Sequence, residues 1–191
     1  MEYRPQTNDL IMQQKVKATD LANAEIKNVL EHVKFDAKSR SLLGDGFDTG
    51  DFCLHWYFDM DEKPFKAFNP QIEGVINCEI IDSTNVMFGN PNTRQVEKQP
   101  YIIIVGRDLV SNLKKEAKAN GNKDWDTIEG DSDTSDQMGD NGKLENSAKG
   151  YEKALYIIKY FKKDGKVYVN KSVKNTYIYQ DKNTHLSYYP I

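Results

Sequence analysis

The chain has 191 residues, of which 38% are apolar and 29% charged, with a formal net charge of -3. That length holds one domain with a real core, or one domain with appendages, and the low apolar share leaves much of the chain as surface or as segments that enter no core. The charge argues against a globally basic nucleic-acid binder, no apolar run approaches the ~18 residues of a membrane span, and the opening MEYRPQTND lacks the basic-then-apolar order of a signal peptide, so the expectation is a soluble chain that is cytoplasmic at synthesis.

Residues 1–7 read as a frayed start, and the helical pattern begins at about Asp9 and runs to Val33. Leu21, Ala22, Ile26, Val29, Leu30 and Val33 form one apolar stripe, with Lys15, Lys17, Lys27 and Glu31 free to lie on the wet side. A second helical stretch, Phe35 to Thr49, can line one face with Phe35, Leu42, Leu43 and Phe47. Gly44, Gly46 and Gly50 weaken it and predict either close packing against another backbone or an early end. Together these stretches make a helical arm over 9–49.

Strands and one short helix follow over 51–119. Phe52 to Phe58 alternates, with Phe52, Leu54, Trp56 and Phe58 on one face and Cys53, His55 and Tyr57 on the other. DMDEKP (59–64) is a turn, and a second strand spans Ile72 to Ile81. Asp82-Ser83-Thr84-Asn85 ends it, because these side chains bond their own backbone. Tyr101 to Val105 is a short buried strand. Asp108 is expected to cap the next helix, whose inner stripe is Leu109, Val110, Leu113 and Ala117. Lys114, Lys115 and Lys118 suit its C-terminal end, and Asn120-Gly121 can stop it in the left-handed conformation.

Residues 120–150 carry 8 acids against 3 bases and read as an acidic flexible insert, in which only Trp125, Ile128, Met138 and Leu144 could enter a core. Residues 151–191 reverse the sign, with 8 lysines against 3 acids, and read as a basic β-hairpin. Asp164-Gly165 is a two-residue hairpin turn, and it sets Lys163 opposite Lys166, Tyr160 opposite Val169 and Tyr156 opposite Val173. Tyr156, Ile158, Tyr160, Val167, Val169 and Val173 then share one face, and Lys159, Asn170 and Ser172 the other. Thr176 to Tyr179 can add a third strand.

The chemistry-bearing residues form no recognisable catalytic set. Cys53 and Cys78 lie in apolar strands and read as buried thiols. His32, His55 and His185 have no metal-ligand spacing; Glu31-His32 lacks a second histidine four residues on, and His55 reads as structural. In EGDSDTSDQMGD, Asp131, Asp133 and Ser135 match the start of a calcium loop, but Asp136 stands where the turn glycine belongs and Gly142 where the glutamate belongs. Asp45, Asp48 and Asp51 are a further acidic set without a third ligand or a base on the same face. No catalytic, cofactor-binding or metal-ligating residue is therefore named, no cofactor is expected, and the chain reads as a non-enzyme.

One family resemblance rests on motif order. LLGDGFDTGDFCLHWYFD (42–59) is similar to a helix-to-strand passage of tailed-phage portal proteins, and EIIDSTNVMFGNPNTRQVEKQPYIIIVGRDLVSNLKKEA (79–117) resembles the block that follows it there. Ile81-Asp82, Phe88-Gly89-Asn90-Pro91, the run Gln99 to Ile104, and Arg107 occupy the matching places, and the hairpin with the closing Leu186 to Ile191 is similar to what comes next. The branch that looks nearest is the short-tailed-phage type found in phages and prophages of Gram-positive bacteria. The resemblance covers about 18–117 and 151–191, and the tunnel-lining helices and terminase-docking clip of such proteins are not recognisable here. The chain thus reads as a single wing-like region, either a fragment of a longer portal or the product of a broken prophage gene.

The resemblance implies a structural role. Twelve full-length subunits would form a ring at one capsid vertex, the channel for DNA packaging and ejection. Partners would be other copies of the chain, the terminase large subunit, the major capsid, scaffolding and head-completion proteins, and double-stranded DNA, with no membrane. Its place would be the virion, after assembly in the host cytoplasm. Subunit-interface and DNA-facing residues are unknown from sequence. The alternatives are a stand-alone binding module for a protein or nucleic-acid partner, using the basic hairpin, and a metal nuclease using Asp45, Asp48 and the acids of 131–136. The fold expected is α+β, with N-terminal helices packed on a mostly antiparallel sheet, one short helix between strands and a C-terminal hairpin.

Overall fold

The computed structural model describes residues 10–50, 53–59, 62, 74–93, 95–131 and 152–191. The expected frayed start, most of the 59–64 turn, the first residues of the two early strands, and 132–150 of the acidic stretch lie outside them. The described residues form three helices and seven strands in two antiparallel sheets, a mixed α+β fold with helices first and most strands last. They divide into two compact units, the first ending at Ile81 and the second spanning Asp82–Pro190.

In the first unit, α1 (Leu10–His32) and α2 (Phe35–Thr49) are joined by a turn in which Lys34 takes the left-handed conformation. Only the last part of the α1 stripe is covered. Val33 is 3% exposed, whereas Ile26 is 56% and Leu21 73% exposed. The glycines of α2 neither end it early nor mark close packing at Gly44, where an added Cβ would meet no atom within 4 Å. Gly50, at φ 82, ends the helix by donating to the Gly46 carbonyl, the left-handed stop that glycine takes without steric cost. β1 (Cys53–Asp59) pairs antiparallel with β2 (Val75–Ile81), from Cys53 opposite Ile81 to Asp59 opposite Val75. Phe35 stacks on Trp56 at 6.0 Å between ring centres.

The second unit is a five-stranded antiparallel sheet in sequence order: β3 (Val86–Phe88), β4 (Tyr101–Leu109), β5 (Lys153–Lys163), β6 (Lys166–Val173) and β7 (Thr176–Asn183). The expected hairpin register is the one observed, with Lys163 opposite Lys166, Tyr160 opposite Val169 and Tyr156 opposite Val173. Asp164 and Gly165 both have positive φ, as a primed two-residue turn requires. β7 extends beyond the expected Tyr179, and β4 runs four residues past Val105.

That longer β4 overturns the expected helix cap. Leu109 still pairs with Lys153 of β5, so Asp108 is held in the ladder, and α3 (Val110–Ala119) is preceded by Leu109 with no side-chain cap. The Asp108 carboxylate instead accepts from the Leu109 N–H at 2.6 Å and from Asn112 Nδ2 at 3.0 Å. At the other end Gly121 takes φ 77, as expected. α3 lays Val110, Leu113 and Ala117 against Ala154, Val173 and Ile178. Ile128 completes this core at 2% exposure with Trp125 packed beside it, so the acidic stretch is ordered core-former at least as far as Asp131.

A candidate interaction surface

Among the described residues, no group of three or more His, Cys, Asp or Glu side chains could hold a metal ion. Of the calcium-loop residues, Asp131 is spent within the fold. Its Oδ2 accepts from the Leu155 N–H at 2.7 Å and its Oδ1 lies 3.5 Å from Lys174 Nζ. Asp133, Ser135, Asp136 and Gly142 lie outside the described residues, as does Asp51, while Asp45 and Asp48 are exposed on α2.

The β1–β2 ladder does bring titratable groups together. His55 is buried, with Nδ1 2.9 Å from Glu79 Oε1 and its ring stacked on Tyr57. Cys53, two residues away on the same strand, carries a thiol pushed up to about 11, first by burial and then by the Glu79 charge. A nucleophilic cysteine needs the opposite shift, toward the thiolate at neutral pH. Cys78 is also a buried free thiol, and Lys38 Nζ donates to its carbonyl. His32 Nε2 sits 3.4 Å from Glu62 Oε1, and the His185 N–H donates to Asn183 Oδ1.

The raised thiol fixes the sign of an alkaline effect. Between the ordinary value near 9 and about 11, folded Cys53 keeps a proton that the unfolded chain has lost, so stability falls as pH rises through that window. Tyr179 is displaced upward by burial, with Glu116 adding to it, and extends the loss to higher pH. Thermal melts followed by circular dichroism should therefore give a lower midpoint at about pH 10.5 than at about pH 8, with a shallower fall in Cys53→Ala. A midpoint that holds steady or rises would contradict this burial.

Several lysines of the C-terminal segment have partners within the chain, although Lys159, Lys174 and Lys182 stay exposed. Lys162 pairs with Glu97 and lies 4.8 Å from the Tyr189 ring centre. Lys171, with only 12% of its side chain exposed, pairs with Glu116 at 2.7 Å and sits over Tyr156. Lys174 donates to the Gly130 carbonyl and Lys182 to Asn120 Oδ1. Lys159 rests over the Tyr101 ring. Of these, Lys171 and Lys162 are the ones taken up in packing, with 12% and 28% of their side chains exposed.

Some of the residues that carry the motif pattern meet around Gln99. Gln99 is buried, its Oε1 accepting from the Asn90 N–H at 2.8 Å and its Nε2 donating to the carbonyls of Asn90 and Thr93. The Gln99 carbonyl accepts from the Tyr189 hydroxyl at 2.9 Å, and the Tyr189 N–H donates to Glu97 Oε1. The Gly89 N–H donates to the Tyr101 carbonyl, and a Cβ at Gly89 would lie 2.8 Å from Pro100, so the turn needs glycine. Asp82 Oδ1 accepts from the Thr84 N–H and hydroxyl, the local closure expected there, and these bonds hold its carboxyl below the usual range. Sequence patterning missed the role of Tyr189, because its partners lie some ninety residues earlier; the pairing of Gln99 with Asn90 was within reach as a polar residue at the rim of an apolar run.

Among the described residues two apolar surfaces stay at least partly exposed. On α2, Phe47 is 89% and Leu43 59% exposed, one helical turn apart. On the sheet, the side of β4–β6 turned away from α3 carries Tyr101, Ile103, Val105, Ile157, Phe161 and Tyr168. Its charged positions are Arg107, Lys153, Lys159, Lys163 and Lys166, with no Asp or Glu on that side of those three strands. Among the described residues no helix is long and apolar enough to cross a membrane. No protein-family model matches the chain, and no curated protein matches it.

Proposed function

We propose that this chain is a structural part of a tailed-phage portal, its wing region, contributing to the ring at the capsid vertex through which DNA is packaged and ejected and on which the terminase motor docks. One observation carries the reading. Two of the segments behind the resemblance, the Phe88 to Ile104 stretch and the closing stretch at Tyr189, are linked by hydrogen bonds through Gln99 and Glu97. Residues that recur together for a structural reason should be locked together in this way, whereas a chance likeness has no reason to link them. The uncovered apolar surfaces fit an assembly component, since monomeric proteins seldom leave such side chains bare in clusters. In this role the chain acts with copies of itself and with the capsid, scaffolding, head-completion and terminase proteins, in the virion, and has no chemistry of its own.

Sequencing the DNA around the open reading frame tests this directly. A terminase large-subunit gene upstream and coding sequence for further portal regions in frame would support the proposal. A frame with no phage genes around it would sink it. The second reading, a stand-alone binding module, is favoured by the all-basic charge of the outer sheet side, and it predicts a monomer whose partner affinity falls with added salt.

A further inference from the structure

We propose that the outer side of β4–β6 binds single-stranded nucleic acid, stacking unpaired bases on an aromatic row and holding their phosphates with lysines. The proposal rests on the binding-module reading of that basic sheet side and is independent of the portal reading. The ladders set Tyr101 opposite Phe161 and Phe161 opposite Tyr168, one aromatic on each of three adjacent strands. The row therefore crosses the sheet in steps of about 5 Å, the spacing of neighbouring strands. The Phe161 and Tyr168 rings stack at 5.9 Å between centres, and Tyr101 is 36% exposed. Lysines stand on both sides of the row. Lys159 and Lys163 lie two residues to either side of Phe161, and Lys163 faces Lys166 across the hairpin, all three exposed. The Lys159 ammonium lies 5.0 Å from the Tyr101 ring centre and 6.0 Å from that of Phe161. A base can take its place over the ring, while the flexible lysine stem keeps the ammonium within reach of a neighbouring phosphate. Two carboxylates adjoin this region, Asp164 in the hairpin turn and Asp181 on β7, and both are exposed. On β4–β6 themselves the outer charges are all basic, which favours a polyanion. An unpaired strand is the occupant because it joins that charge to free base faces, which an acidic peptide lacks. A duplex keeps its bases stacked on one another, and its grooves admit a helix or a two-stranded ribbon rather than the flat side of a five-stranded sheet.

Fluorescence anisotropy of a labelled oligothymidylate of about twelve nucleotides, titrated with the full chain at about 50 mM salt, tests this. The strand should bind with a Kd below about 100 µM, and at least about tenfold more tightly than a duplex or an abasic strand of equal length. Tyr101→Ala should weaken binding about tenfold and leave the salt dependence as it was. Lys163→Gln combined with Lys166→Gln should flatten the slope of log affinity against log salt by about 1.4, the loss of two phosphate contacts. Both lysines are exposed, so this variant carries the test if Tyr101→Ala fails to fold. Lys123→Gln, in the turn after α3, removes the same kind of charge and should change neither affinity nor slope. A loss as large in that control means general charge attraction and overturns the proposal. So does the absence of binding below about 100 µM, or a duplex or abasic strand bound as tightly as the oligothymidylate. Polyglutamate or anionic vesicles bound in place of the strand would overturn it as well, while leaving the binding-module reading standing. Flanking phage genes bear on the portal reading alone.

Discussion

Ile128→Ala is expected to destabilise the second unit by about 3 kcal/mol, the cost of deleting a fully buried aliphatic side chain and leaving a cavity that its neighbours fill only in part. Ile128 stands in the most acidic part of the chain, yet it is 2% exposed and belongs to the core with Leu113, Ala117, Val173 and Ile178. The segment around it is tied down at several points. Thr127 Oγ1 lies 3.2 Å from Thr176 Oγ1, the Asp131 N–H donates to the Lys153 carbonyl, and Asn122 Nδ2 donates to the Tyr177 carbonyl. The cavity therefore cannot close by simple recoil of a loose loop. Urea unfolding monitored by circular dichroism measures the loss. A change below about 0.5 kcal/mol, the size of an ordinary surface effect, would mean that this stretch is not part of the core.

Gly106→Ala should cost about 2 kcal/mol, although alanine normally outperforms glycine in a strand. Gly106 pairs directly with Tyr156 across β4 and β5, and a Cβ there would lie 2.4 Å from the Tyr156 ring and hydroxyl oxygen. The ring lies over the glycine backbone and packs beside the α3 core, with the Lys171 ammonium 4.6 Å from its centre. An added methyl would lift the ring and disturb both contacts. In a Tyr156→Ala background the same glycine change should be neutral or stabilising, because the clash is gone and only the entropic gain remains. A double-mutant cycle measures the coupling, and additive effects would refute the close approach.

The β5–β6 hairpin shows how far local chemistry reaches. Asp164-Gly165 selects the turn, the period-two pattern selects which side chains face inward, and the two agree on one register, so β5 and β6 are readable without any other part of the chain. The same holds for α1 and α2, for the Asp82 closure and for the Gly121 helix stop. Sequence reasoning failed where a distant partner outvoted a local preference. Asp108 is a good helix cap by type, but pairing with β5 through Leu109 extends the strand past it. The α1 stripe predicts burial along its length, and the fold covers only its last turns.

The candidate surface was legible only in part. Its basic sign could be counted from the tail, but the count did not reveal that Lys162, Lys171, Lys174 and Lys182 are spent on Glu97, Glu116, Gly130 and Asn120, leaving the outer-face charges to Arg107 and four other lysines. The amino-acid sequence by itself determined the α+β class, the helices, the hairpin register and the turn chemistry, because each depends on residues within a few positions of one another. The tertiary structure alone decided that Ile128, one of four residues of the acidic stretch able to enter a core, is fully buried, that Gln99 and Tyr189 close one knot, and that Phe47 stays bare. Those outcomes depend on contacts between residues far apart in the chain, whose energies no local pattern encodes.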